Sequence, residues 1–399
     1  MPPFSLILTV ITIAVALLVV LNTVALLTLA ERKISAYMQD RIGPNRVGPL
    51  GLLQPFVDGV KMFLKEDIIP SHVDKVFFIL APAIATATAL LAFAVVPFGP
   101  TMPAPGPATP ADFGQAQEQY QHYQYVIAPG VDIGILWVFS ISSLAVYGII
   151  LGGWSSNNKY SILGSLRSSA QIISYEIPLG MSILGLVLYS GSLNLEKIIH
   201  WQAIHGWNVI YHPLAFLMFM TSVFAECNRL PFDLPEAEQE LVGGYHTEYS
   251  SIKFALFMLG EYAHMITTSF LLAIVFFGGW HMPWVTGGTE WWHTALKLVF
   301  LCGKAGLFIL MYMLIRWTLP RFRFDQLMGL AWKVLIPLSI VNLLCAMIVR
   351  EFQLPLICIT ATSIVLLFAM GYAASKVIAP NVRPQRTRNV HRNIEASVP

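Results

Sequence analysis

The sequence predicts an all-α polytopic membrane protein, with about nine transmembrane helices and one amphipathic helix lying in the membrane surface. Three observations carry this. Of the 399 residues, 56% are hydrophobic and only 12% are charged, where soluble domains carry about 25% charged residues. The mean hydropathy is +0.65, and the apolar residues gather into runs near the roughly 20 residues that a helix needs to cross a bilayer. The basic residues fall almost entirely between alternate runs.

The runs are 4–30, 76–97, 131–152, 168–190, 210–228, 253–278, 294–316, 333–349 and 354–375. The first, apolar from Phe4 to Ala30, has no basic stretch before it and no small-residue cleavage site after it. It therefore reads as a retained membrane helix and not a signal peptide. Its length makes tilt the expectation. The fifth is interrupted near its end by Glu226.

Arg32, Lys33, Arg41, Arg46, Lys61, Lys65 and Lys75 crowd the first connector. Lys159 and Arg167, then Arg229 and Lys253, then Arg316, Arg321, Arg323 and Lys333 mark later connectors on the same side. The tail adds Lys376, Arg383, Arg386, Arg388 and Arg392. That is twenty of the 24 basic residues on one face. The excess of Lys and Arg on cytoplasmic loops predicts an outside N-terminus and a cytoplasmic C-terminus. Residues 1–379 read as a single transmembrane domain, with irregular structure expected over loop 97–130. The polar tail 380–399 has the composition of a disordered segment. No internal repeat is visible, which argues against inverted-repeat transporter folds.

Chemistry is expected in the basic-side connectors. In 52–65, LLQPFVDGVKMFLK, the polar residues Gln54, Asp58, Lys61 and Lys65 recur at helical spacing among apolar ones. That pattern is an amphipathic surface helix, serving either as an anchor or as the wall of a cavity open to lipid. Between Asp233 and Glu248 lie five carboxylates: Asp233, Glu236, Glu238, Glu240 and Glu248. Crowded carboxylates disfavour one another's ionisation and so exchange protons nearer neutrality, although a solvated acidic loop gives the same composition.

Charges within the spans are the stronger signal, since each costs about 2.5–3.5 kcal/mol at the membrane centre. Glu176, Glu261 and Lys304 lie well inside their runs, while Glu31 and Glu226 lie near run ends, where snorkelling is an alternative. They read as a polar pathway among the helices. His246, in the acidic loop, and His264, one turn after Glu261, are candidate proton carriers. The four cysteines, Cys227, Cys302, Cys345 and Cys358, show no CxxC spacing. No metal site, iron–sulfur cluster or disulfide framework is expected in this chain.

Two long segments, GLLQPFVDGVKMFLKE (51–66) and PFDLPEAEQELVGGYHTEY (231–249), resemble the signatures of a family of respiratory complex I membrane subunits, the H-type subunits of NADH-quinone oxidoreductase. AERK (30–33), RIGPNRVG (41–48), SYE (174–176) and RWTLPRFRFDQLM (316–328) are similar to further stretches of that family, and the resemblance covers roughly residues 4–349.

It implies a membrane subunit that shapes a quinone chamber, with quinone as substrate, no catalytic or redox group of its own, and FMN and iron–sulfur clusters in partner subunits. Arg32, Arg41, Asp58, Lys61, Glu226, Arg229, Asp233, Glu236, Glu238, Glu240, Glu248 and Glu261 would line the chamber. Glu176, Glu226, Glu261, Asp233 and Glu236 would form the proton path. Arg321, Arg323 and Asp325 would hold the peripheral arm.

The implied partners are the peripheral-arm quinone-site and iron–sulfur subunits, the small membrane subunits, the antiporter-like subunits and membrane lipid, without nucleic acid. A bacterial plasma membrane is the implied location. The ninth run and the tail go beyond the family's common eight-span core. The rival readings are the membrane subunit of an energy-converting hydrogenase, a stand-alone cation transporter and a purely structural anchor for the soluble arm.

Overall fold

The computed structural model describes residues 6–99, 127–128, 131–233, 241–282 and 291–378. In chain order the helices are α1 (Leu6–Met38), α2 (Gln54–Leu64), α3 (Lys75–Ala92), α4 (Gly134–Ser155), α5 (Lys159–Ser190), α6 (Leu195–His205), α7 (Asn208–Tyr211), α8 (Pro213–Glu226), α9 (Ser251–Phe277), α10 (Trp291–Thr318), α11 (Phe324–Leu330), α12 (Ile336–Glu351) and α13 (Ile357–Ile378). No strand occurs among the described residues. Most of loop 97–130, the acids Glu236, Glu238 and Glu240, and the tail 380–399 lie outside the described residues.

The nine predicted runs each coincide with a helix, but among the described residues seven helices are long and apolar enough to cross a membrane. The other two, Pro213–Glu226 and the apolar stretch Ile357–Tyr372 of α13, are shorter. Three helix limits depart from the apolar runs. Helix α1 continues to Met38, so Glu31 lies inside the helix and not at its end. Helix α5 begins at Lys159, well before the run at 168. Its early serines do not break it, because Ser165 and Ser169 donate to the carbonyls of Ile162 and Ser165 in their own helix, at 2.9 and 2.8 Å. Such back-bonding lets short hydroxyls sit inside a helix. The eighth span starts at α11 and reaches α12 through a π-helical turn at Ala331–Leu335. Pro337 follows that turn, and a proline ring there cannot accept the regular i−4 geometry.

Helix ends are satisfied locally. Asp74, Asn158 and Asn194 accept from the first backbone N–H groups of α3, α5 and α6, as capping side chains do. Helices α5 and α9 end on Gly191 and Gly278 with left-handed φ of 67° and 71°, where any Cβ is strained.

Helix α9 is the central element, with 78% of its apolar window buried, whereas α1 has 11% buried and presents its sides to the surroundings. Around α9 the core gathers Phe219, Phe224, Phe270, Phe276, Tyr175 and Leu272. A second cluster joins Phe78, Tyr245, Tyr249 and Phe257. The turn Gly244–His246 approaches α5 so closely that a Cβ on Gly164 would stand 2.7 Å from the Gly244 Cα.

Candidate functional site

Two cavities lie at the end of the bundle where α2 and the 241–250 turn meet the membrane helices. The larger, of about 1470 Å³, is walled by α1, α2, the 41–46 loop, α9 and the end of α10. Helix α2 contributes Gln54, Asp58 and Met62, which recur every fourth residue and so share one side. Phe56 and Val60, on another stripe, stay exposed at 56% and 57%. The helix therefore walls the cavity with one stripe and offers another to its surroundings. The Ser251 hydroxyl reaches the carbonyls of Met62 and Lys65, at 2.8 and 2.9 Å, and ties the end of α2 to the start of α9.

Four of the charged groups that line this cavity, Glu31, Arg32, Asp58 and Arg316, are in ion pairs. Arg32 donates to Asp58 at 2.5 Å, and Gln54 donates to the same carboxylate at 3.1 Å. Glu31, only 6% exposed, accepts from Arg229 at 3.1 Å, from the Tyr262 hydroxyl at 2.5 Å and from Arg316. The Arg229 guanidinium also stacks over the Tyr262 ring, 4.3 Å from its centroid. Just beside the cavity Lys253 holds Asp67 at 2.8 Å.

The smaller cavity, of about 60 Å³, is lined by Glu226, Glu261, His264 and Tyr245, with Ser142 of α4 at its edge. His264 meets Glu226 at 3.3 Å, and the Tyr245 hydroxyl donates to Glu261 at 3.0 Å. Ser143, next to Ser142 on α4, donates to Glu176, which lies within Coulombic reach of Glu226.

Neighbouring residues join the two cavities. Tyr262 faces the large one and Glu261 the small one. Asn228 lines the small one while Arg229 bonds Glu31 in the large one. Asn228 is fixed from behind by Gln171, whose amide donates to it and to the carbonyls of Ala225 and Phe232.

Of the residues singled out in the sequence, Arg32, Arg41 and Asp58 line the large cavity, while Glu226 and Glu261 line the small one. Arg229 sits between them. Lys61 is exposed on α2 and outside both linings. Glu248 accepts from Asn158 at 2.6 Å. Asp233 is bound by Arg321 at 3.1 Å, so a residue expected at the docking surface holds an acid expected in the chamber. Arg323 and Asp325 are exposed at the start of α11.

Lys304 does not join the carboxylates. Its ammonium donates to the carbonyls of Phe277, Gly279 and His281 at 2.7–2.8 Å, capping the far end of α9. A cation there complements the helix dipole. Burial pushes the His246 imidazole down to about 4, so it stays neutral near pH 7.

The sequence places Glu31 among the charged residues of the spans, but not as the hub that Arg229, Arg316 and Tyr262 share. Apolar runs end at charged residues by construction, so a buried acid one turn into a continuing helix reads as a terminus. Its place at the end of the first run and the AERK motif are the two signals in the sequence.

A family model described as NADH dehydrogenase matches residues 11–347, stopping before α13. The chain is 48% identical over 319 residues to the first H subunit of NADH-quinone oxidoreductase from Cytophaga hutchinsonii, covering 79% of this chain and 89% of that protein. It is 50% identical over 321 residues to the H subunit of NADH-quinone oxidoreductase from Leptospira biflexa serovar Patoc, covering 80% and 88%. It is 48% identical over 343 residues to NADH-quinone oxidoreductase subunit 8 of Thermus thermophilus, covering 85% and 87%. Matches of this identity over most of the chain, on a helical membrane fold, place the protein in the H-subunit family of NADH-quinone oxidoreductase.

Proposed function

We propose that the chain forms the quinone-access chamber of proton-translocating NADH-quinone oxidoreductase, together with the acidic path that couples quinone reduction to proton movement. The observation that carries this reading is the junction at Glu31, Arg229 and Tyr262, which links a cavity of about 1470 Å³ to the enclosed carboxylates Glu226 and Glu261. The large cavity is roomy enough for an amphiphile, since small-molecule sites measure about 300–1,000 Å³.

In this reading the quinone enters beside α2 and is reduced where the chain meets a peripheral subunit, whose iron–sulfur cluster supplies the electrons drawn from FMN. Quinone reduction takes up two electrons and two protons. The charge change reaches Arg229 and Glu31, then Glu226 and Glu261, and then Glu176 toward the antiporter-like subunits. Asp233 and the acids Glu236, Glu238 and Glu240 would shape the chamber side of the path. Arg321, Arg323 and Asp325 would face the peripheral arm. The chain would lie in a bacterial plasma membrane with its basic loops and C-terminus cytoplasmic.

The test is purification through a C-terminal tag in mild detergent, followed by an assay of NADH-driven, inhibitor-sensitive quinone reduction. Activity in a flavin- and iron–sulfur-containing assembly is expected. A nickel–iron assembly without quinone reduction, or a lone chain that moves cations, would overturn the reading.

A further inference from the structure

Resting on that reading, we propose that His264 is a further residue of the acidic path, one that passes a proton between Glu226 and the small cavity. Its Nε2 stands 3.3 Å from Glu226 Oε1, with the two side chains only 12% and 9% exposed. The contact joins two different helices, α8 and α9. His264 and Glu261 are one turn apart on α9 and reach the same cavity. That cavity, at about 60 Å³, has room for water, one molecule of which needs roughly 10–15 Å³.

The groups facing His264 are few. Helix α8 and its end supply Glu226 and Cys227, α9 supplies Glu261, and the 244–246 turn supplies Tyr245, which donates to Glu261. Helices α3 and α5 line the cavity with alanines and Ile172, and α4 adds the hydroxyl of Ser142. No lysine or arginine lines this cavity among the described residues.

This arrangement suits an imidazole. One ring nitrogen of an imidazole can donate while the other accepts, so it can give a proton on one side and take one on the other. With its Nε2 protonated, His264 donates to Glu226 and balances its charge. Passing that proton to Oε1 leaves a neutral imidazole beside a neutral acid. Nε2 is then an acceptor for the next proton, arriving from cavity water near Glu261. Oε1 releases its proton into the path before Nε2 takes the next one from cavity water, so in each cycle the pair gives up one proton, gains one and returns to its starting charge.

The experiment uses the assembled, membrane-bound complex with His264→Asn, His264→Gln, Glu226→Gln and the His264→Asn/Glu226→Gln double variant. NADH-driven quinone reduction, the KM for a short-chain quinone, dye-reported proton uptake and the pH profile of coupled turnover are measured. Coupled turnover should fall about tenfold in the His264 variants, a modest share of what acid–base groups contribute. The quinone KM should hold steady and the pH profile should flatten. The double variant should be no worse than the poorer single one, because paired residues do not add.

Wild-type coupling with an unchanged pH profile in His264→Asn would overturn the proposal, as would strictly multiplicative losses in the double variant. If His264→Asn fails to assemble, His264→Gln decides. It keeps a donor toward Glu226 but carries no exchangeable charge, so full coupling in it is an overturning result. A wild-type complex that does not reduce quinone sinks the proposed function itself, whereas an active wild type with indifferent His264 variants sinks only this inference.

Discussion

Arg229 and Glu31 lie 198 positions apart in the chain and meet at 3.1 Å with the carboxylate almost fully enclosed. The pair closes the seam between α1 and the loop after α8. Because Arg316 and Tyr262 converge on the same carboxylate, one anion holds two cations and a hydroxyl beside the large cavity.

Replacing Glu31 by Gln should therefore be costly. The substitution leaves Arg229 and Arg316 beside an uncharged group, and breaking a buried pair from one side costs about 3 kcal/mol or more. Thermal unfolding of the purified complex should shift clearly downward, with a raised quinone KM. An unchanged melting temperature would show that the cluster is well solvated.

Asp58→Asn should behave differently. Arg32 is 52% exposed and Asp58 29% exposed, so their pair is screened and contributes less than about 1 kcal/mol. Stability should hold while the quinone KM rises, because the pair lines the cavity. A steady-state titration with two quinones of different tail length checks this.

Glu176→Gln should leave assembly intact and reduce coupled turnover. Ser143→Ala, which removes the hydroxyl that donates to Glu176, should produce a smaller loss in the same direction. Flavin content reports assembly, and proton uptake in vesicles reports coupling. Full coupling in Glu176→Gln would remove this residue from the path.

Lys304→Met should destabilise the chain without altering quinone kinetics. Three carbonyls lose a charged donor at the end of α9, which amounts to about 2–4 kcal/mol after partial rescue by water. A loss of coupling with unchanged stability would instead return Lys304 to the polar pathway.

His246 gives a pH prediction. Its imidazole is held down at about 4, below an ordinary value of 6.5. The unfolded chain therefore binds the extra proton first as pH falls. The contribution to stability is complete above 6.5 and is lost as pH drops from there through about 4. Melting temperatures at neutral and acid pH should differ less in His246→Gln than in the natural protein.

The sequence by itself determined the helical membrane class, the positions of the nine apolar segments, the amphipathic helix and the carboxylates Glu176, Glu226 and Glu261. These follow from properties written along the chain: run length, periodicity and charges where lipid tolerates none. Tertiary structure alone decided the partners. Glu31 read as a helix terminus until α1 continued through it to meet Arg229, Tyr262 and Arg316, while Lys304 read as part of the path until it capped α9. Ion pairs form between residues far apart in the chain, and spacing along a sequence carries no information about which helices lie side by side. Only the packing of α1, α8, α9 and α10 brings those charges within bonding distance, and only that packing separates a large cavity from a small one.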